Sequence, residues 1–572
     1  MLATVRRFAA AFALFAVIVA GIACEAPRAV DPKAGGPKLV VLLMVDQMRG
    51  DFVDRYGFQW TSGLRRLVDQ GAWYSRAAFP YATTVTCVGH ATVSTGAVPA
   101  THGIVGNSWF DREAGRSTSC TGTSEATTIS YGAPVGGGHS PWRLLVPTLS
   151  DELRAQKGTP GRVVTMSIKE RTAIMMAGHQ ADAAVWFNGT AGNFVTSSVY
   201  TSAPVPFVAA AVAKRPLSAD HGKVWTPTLP PQSYLYAEEG AGEKPGSYWT
   251  SRFPHELKGK SGAPDAQFYD AWANSPFADE YLGYLATEAV DALKLGQGDT
   301  TDFLGVSFSV LDAVGHDFGP TSHEAQDIMV RVDRTIGNLL AHLDRTVGAG
   351  NYVVALTGDH GASPIPEQAV ALGLGGGRLD VAEVRNAATS ALAAAFDAGK
   401  AGKYELRFQG GELIFEPPVL EKLRQNRAAA GAVAAAVRAV PGVAAVYFGD
   451  DLPLAVAAGD PVARAVLASR YPGRSGDMTV VPRPYWLFVT ADGSPQPGSA
   501  TSHGTPYAYD QRVPVILFGA GIAPGEYLAN ATPADVAPTL AHLCGVTLPR
   551  ADGRVLFEAL APARRAAGAG GR

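Results

Sequence analysis

The order of apolar and amphipathic segments predicts an α/β fold, with a mostly parallel central sheet flanked by helices and interrupted by inserted loop and α+β segments. Three observations predict it. Continuous apolar runs recur at Lys38–Asp46, Arg162–Met166, Phe303–Leu311, Tyr352–Thr357 and Val513–Phe518, as expected of strands buried on both faces of a sheet. Helical patterns lie between them. Asp46, Asp312 and Asp359 stand at or just past the ends of three runs, where open α/β sheets bind their ligands.

The elements follow in order. Arg6 and Arg7 precede an apolar stretch, Phe8–Ala23, ending in Gly21-Ile22-Ala23-Cys24. Residues 1–24 therefore read as an export signal, cleaved after Ala23 or Ala26. Lipidation of Cys24 is an alternative, although Gly21 fits poorly where a lipoprotein signal carries an aliphatic residue. A retained anchor is another, since about 17 residues just span a bilayer. Residues 25–37, with three prolines and two glycines, read as a linker. One catalytic domain is expected over 38–560, followed by a flexible tail, 561–572.

In Asp279–Leu295 the residues Leu282, Leu285, Ala286, Ala289 and Leu293 share a helical face; Met329, Val332, Ile336, Leu339, Leu340 and Leu343 do so within Ser322–Val347. Thr532-Pro533 caps a last helix through Leu543. Residues 111–145, rich in Gly, Ser and Thr, read as a surface loop. Insertions are expected at about 190–275, which is irregular, and about 400–480. The second begins strand, strand, helix, strand: Tyr404–Phe408, Glu412–Phe415, Leu420–Val440 and Ala444–Phe448.

Hydrophobic residues at 47% against 17% charged exclude global disorder. A net charge of -3 gives no footing for a polyanion, so no nucleic acid is expected as partner. Setting Cys24 aside leaves Cys87, Cys120 and Cys544, enough for one bridge, with Cys87 and Cys120 the pair to test. No CxxC spacing marks a structural zinc site.

The chemistry-bearing residues are Asp46, Asp312 with His316, Asp359 with His360, and His503. Asp312 and His316 are four apart, so one helical turn can aim both at one ion. Asp359-His360 lies between Gly358 and Gly361, which let the backbone turn sharply. Mixed Asp/His ligands suit zinc, with manganese or iron as alternatives. The turn Thr83–Thr86 offers hydroxyl nucleophiles and Lys169-Glu170-Arg171 a cationic clamp. Two divalent metals, a hydroxyl and such a clamp are the parts needed to hydrolyse a phosphate ester.

Val45-Asp46-Gln47-Met48-Arg49, Gly89-His90-Ala91-Thr92, His102-Gly103-Ile104, Asp312-Ala313-Val314-Gly315-His316, Gly358-Asp359-His360-Gly361 and Ser502-His503-Gly504 resemble the motifs of the alkaline phosphatase superfamily. The similarity is to the type I phosphodiesterase and nucleotide pyrophosphatase branch and, within it, to the bacterial alkaline phosphatases with a threonine nucleophile. The resemblance implies two zinc ions per chain. One would be held by Asp312, His316 and His503, and the other by Asp46, Asp359, His360 and the nucleophile. The nucleophile position matches Thr86, four residues before His90, while spacing alone leaves Thr83 and Thr84 open. Asn107 matches a residue that binds a phosphoryl oxygen, and Lys169 and Arg171 match a Lys-x-Arg pair of the threonine-type monoesterases.

The implied activity is hydrolysis of small-molecule phosphate monoesters through a phosphothreonine intermediate, in broad phosphate scavenging. A phosphodiesterase or pyrophosphatase is the alternative. A monomer is expected, exported to the periplasm or beyond, touching a membrane only if Cys24 is lipidated. A sulfatase would need a C/S-x-P-x-R context, whereas Cys87 is followed by Val88-Gly89-His90.

Overall fold

A computed structural model describes residues 36–397, 404–490 and 499–562. The expected signal segment, Cys24, the linker up to residue 35 and the tail from 563 lie outside the described residues.

A ten-stranded sheet organises the chain, in the order Gly525–Tyr527, Ala72–Tyr74, Val515–Gly519, Tyr352–Thr357, Leu39–Val45, Asp302–Phe308, Val163–Ser167, Ala183–Asn188, Asn193–Ser197 and Thr128–Ser130. The five strands from Tyr352–Thr357 to Ala183–Asn188 are parallel. Val515–Gly519 runs antiparallel to its neighbour, so the sheet is mixed. Strand Leu39–Val45 is wholly buried, and its side chains alternate between two cores. Leu39, Val41, Leu43 and Val45 join the helices Pro276–Leu293 and His323–Thr346 on one face. Val40, Leu42 and Met44 join the helices Thr86–Thr95 and Val536–Cys544 on the other. This two-sided burial explains the continuous apolar runs.

Four segments depart from expectation. The run Phe303–Leu311 is not one strand. It stops at Phe308, and helix Val310–Phe318 begins because the buried Asp279 carboxylate accepts from the N–H groups of Ser309 (3.0 Å) and Val310 (3.3 Å). Residues 111–145 are not all loop: Ser108–Asp111 pairs with Arg116–Ser119 as a hairpin, and Thr128–Ser130 forms a sheet edge. The helix expected at Leu420–Val440 is two helices, Pro417–Gln425 and Arg427–Arg438, divided at Asn426, whose side chain caps the second through Ala429 N–H (3.1 Å).

The second insertion is wider than 400–480. Gly377–Asp380 pairs with Trp486–Val489 at its base. Between them a four-stranded sheet, Arg407–Gln409, Glu412–Ile414, Met478–Pro482 and Val443–Phe448, packs on Arg427–Arg438 and on helix Val381–Phe396.

Candidate active site

Four neighbouring parallel strands deliver the charged residues to one sheet edge. Asp359 follows Tyr352–Thr357, Asp46 follows Leu39–Val45, Asp312 lies in the helix after Asp302–Phe308, and Lys169 follows Val163–Ser167. Among the described residues, Asp46, Asp359 and His360 hold donor atoms within 4.8 Å of one another, as do Asp312, His360 and His503. His316 stands beside the second group, its Nε2 3.4 Å from Asp312 Oδ1. His360 thus lies between the two groups rather than within one.

The imidazoles are oriented alike. His360 Nδ1 lies 2.9 Å from the Gly361 carbonyl, His316 Nδ1 2.8 Å from that of Thr501, and His503 Nδ1 2.8 Å from that of Thr84. A carbonyl only accepts, so each Nδ1 carries the proton and each Nε2 presents its lone pair. Histidine ligands of metals are fixed in this manner. The His360 and His503 rings stack at 3.6 Å.

Charge in the site is unbalanced. Asp46, Asp312 and Asp359 are buried, and the Lys169 ammonium lies 2.6 Å from Asp46 Oδ2 and 2.5 Å from Asp312 Oδ2. Burial, then the charges of Asp312 and Asp359, push the Asp46 carboxyl well above the usual carboxylate range. Burial opposes ionisation of Asp312 too, but the neighbouring positive charge, led by the Lys169 ammonium, outweighs it and holds that group well below the range. Burial holds the His503 imidazole well below the usual histidine range. Asp46 Oδ1 and Asp359 Oδ2 are buried with no hydrogen-bond partner among the described residues. Uncompensated buried charge costs several kcal/mol per ion. Orphaned carboxylate oxygens beside inward imidazole lone pairs fit divalent cations that favour Asp and His.

Of the three candidate threonines, Thr86 faces this cluster, its Oγ1 3.4 Å from His360 Nε2. Thr84 Oγ1 is turned to the Thr505 carbonyl (3.1 Å), and Thr83 is anchored through its N–H to Ser469 (3.0 Å). Thr86 opens helix Thr86–Thr95, which comes so close to Asp359 that a Cβ on Gly89 would lie 2.1 Å from the Asp359 carbonyl oxygen. His90 locks this approach, with Nδ1 2.9 Å from the Thr86 carbonyl and 3.3 Å from Asp359 Oδ2, and Nε2 2.9 Å from Ser307 Oγ.

Asn107 Oδ1 accepts from Cys87 N–H at 2.8 Å, leaving its amide NH2 to donate. Arg171 sits in the helix that Lys169 caps, with Glu170 Oε1 at 3.6 Å and a buried Nε that has no partner among the described residues.

Sequence reasoning gave no role to Gln47. Its side-chain amide donates to Asp312 Oδ1 (2.7 Å) and its backbone N–H to Asp359 Oδ1 (3.0 Å), so it joins both groups. Its signals in the sequence are its position next to Asp46 and its place in the Val45–Arg49 motif. Among the described residues, none of His139, His179, His221, His255, His323 and His342 belongs to either donor group.

Cys87 and Cys120 are joined in a disulfide. The bond ties the residue after Thr86 to the hairpin carrying Asn107, whose carbonyl accepts from Cys120 N–H at 2.9 Å. The Cys87→Ala, Cys120→Ala double variant is expected to lose about 2–4 kcal/mol of stability and to raise KM for the substrate as Asn107 loosens. A thermal scan and a KM measurement check this; if neither value moves, the bond holds nothing in the site.

The family model described as type I phosphodiesterase / nucleotide pyrophosphatase matches residues 40–506. Alkaline phosphatase PafA of Elizabethkingia meningoseptica is 31% identical over 530 residues, 90% of this chain and 92% of that protein. Alkaline phosphatase PhoV of Synechococcus elongatus is 30% identical over 533 residues, 92% of this chain and 93% of that protein. The crystal structure of PafA superposes with a TM-score of 0.83 at 29% identity, covering 92% of this chain and all of the other. A solved PafA variant is substituted at a threonine, an asparagine, a lysine and an arginine, the residue types found here at Thr86, Asn107, Lys169 and Arg171 and at the same spacing. Sheet order, strand-end carboxylates and similarity over nearly the whole length agree: the chain belongs to the type I phosphodiesterase / nucleotide pyrophosphatase family, within the alkaline phosphatase superfamily.

Proposed function

We propose that this chain is a metal-dependent alkaline phosphatase that hydrolyses small-molecule phosphate monoesters, with Thr86 as nucleophile and two zinc ions held by Asp46, Asp359 and His360 and by Asp312, His316 and His503. One observation carries the reading: a buried threonine hydroxyl, three carboxylates and three inward imidazoles converge beside a lysine. The alkaline phosphatase names of the PafA and PhoV relatives support it.

Bound metals would supply acidity to the hydroxyl and stabilise the departing oxygen. The remaining steps belong to the chain. Thr86 Oγ attacks phosphorus in line with the ester oxygen, the P–O bond to the alcohol breaks, and phosphothreonine forms. Water then attacks the phosphothreonine, releasing phosphate and restoring the hydroxyl. His90 and Gln47 hold the attacking helix and the carboxylates in register. Asn107, Lys169 and Arg171 take up the phosphoryl oxygens by charge-assisted hydrogen bonds. The Lys169 ammonium rests on Asp46 and Asp312, and an arriving dianion competes with those carboxylates for it.

A monoester offers three nonbridging oxygens to this clamp, a diester two. Lys169→Ala and Arg171→Ala are therefore expected to lower kcat/KM for p-nitrophenyl phosphate by about 100-fold or more each and to change bis-p-nitrophenyl phosphate hydrolysis far less. Equal losses on both would make the pair structural. A diesterase or pyrophosphatase is the second reading, favoured by an apolar-walled cleft beside Asn107 and His503. Faster hydrolysis of the diester by the unaltered protein would select it.

Export is part of the proposal, supported by the pattern over residues 6–24 and by a disulfide of the kind that persists in oxidising compartments.

A further inference from the structure

A cleft of about 530 Å3 runs outward from the site between the wide insertion and the hairpin Ser108–Asp111/Arg116–Ser119. Thr83, Val85, Asn107 and His503 line it, residues that border Thr86 or belong to the candidate site itself. Five aromatic side chains also line it: Trp109 and Phe110 from the hairpin, and Phe408, Trp486 and Phe488 from the insertion.

The walls are held in place from both sides. Gln409 Nε2 donates to Ser108 Oγ (2.9 Å) and Ser117 Oγ (2.8 Å), joining the tip of the insertion to the hairpin. Arg112 reaches across to Asp477 at 2.8 Å. Phe408 and Phe488 pack edge to face at 4.9 Å. Arg474 lies over the Trp109 ring at 5.3 Å, and its Nη1 is spent on the carbonyls of Gly103 and Arg143. Glu412 and Arg474 also line the cleft, and Arg407 lies over the Phe110 ring at 4.5 Å; a preformed slot with aromatic walls adds discrimination by shape and stacking to that by charge.

We infer that this cleft binds the alcohol portion of the substrate, and that it selects phosphate monoesters whose alcohol carries a planar aromatic ring. The inference rests on the phosphatase reading for its direction: with phosphorus held against Thr86 and Asn107, in-line attack points the ester oxygen away from the threonine. The alcohol must then leave along a path out of the site, and the cleft is such a path, beginning at Asn107 and His503.

Paired esters of matched leaving-group chemistry test it: 2-phenylethyl phosphate against propyl phosphate, and adenosine 5′-phosphate against ribose 5-phosphate. The unaltered protein is expected to favour the aromatic member of each pair in kcat/KM by about tenfold, the scale of one aromatic stacking contact. Trp486→Ala and Phe408→Ala are expected to bring both ratios toward one. Ratios near one in the unaltered protein overturn the inference. So does a preference confined to the nucleotide pair, which would mean polar recognition of the base, and so do ratios that neither variant moves. If none of the esters is hydrolysed, the phosphatase reading fails. Calorimetric binding of 2-phenylethyl phosphonate against propyl phosphonate then decides the cleft: tighter binding of the aromatic ligand supports it and equal binding overturns it. The same comparison on the variants settles the matter if either folds too poorly for kinetics.

Discussion

Thr86→Ala is expected to lower kcat/KM for p-nitrophenyl phosphate by about 10^4-fold or more, the scale on which loss of a nucleophile falls. The helix that carries Thr86 is buried along its length and held by His90 through the Thr86 backbone carbonyl, not its hydroxyl. The substitution therefore removes Oγ and leaves the fold intact. Thr86→Ser, which restores a hydroxyl at the same place, should recover most of the activity. Rapid acid quench with labelled substrate should trap a phosphoprotein in the unaltered chain and none in Thr86→Ala. Label that survives and maps to Thr84 would move the nucleophile. Thr84 would then have to give up its hydrogen bond to the Thr505 carbonyl.

The contrast between Thr86 and Thr84 marks where sequence reasoning ran out. Asp46, Asp312 and Asp359 were legible because each interrupts or follows an apolar run and because they occur together with the histidines; one Asp alone at such a place serves equally as a turn or helix cap. The choice among three threonines was not, since it depends on which hydroxyl the loop turns inward. Gln47 was equally hidden. It adopts a positive φ of 67°, and its side chain fits only because Gly315, 268 residues away, has no Cβ to meet its Oε1. The direction of Val515–Gly519 could not be read either, because an apolar run looks the same parallel or antiparallel. The break at Phe308 came from Asp279, which caps the next turn from a distant helix. Local pattern reports burial and period; it does not report partners brought from far along the chain.

Removing metal is expected to abolish turnover and to lower the thermal midpoint together. Among the described residues Lys169 is the one ammonium paired with Asp46 and Asp312, and it cannot balance three buried carboxylates. Asp46 Oδ1 and Asp359 Oδ2 have no hydrogen-bond partner among the described residues. A divalent cation bound in the folded state but not the unfolded one adds its binding free energy to stability, so a chelator should cost the fold as well as the reaction. Elemental analysis should find about two equivalents before dialysis against chelator and under about a tenth afterwards, with activity returning on addition of zinc. Return with manganese or iron but not zinc would keep the site and change the metal. Asp359→Asn separates the two groups of donors. It weakens the one nearer Thr86 and leaves Asp312, His316 and His503 unaltered, so about one equivalent should remain while turnover is lost. Full turnover by metal-free protein would remove the reason for placing three carboxylates at one buried sheet edge, and the reading of the site would fall with it.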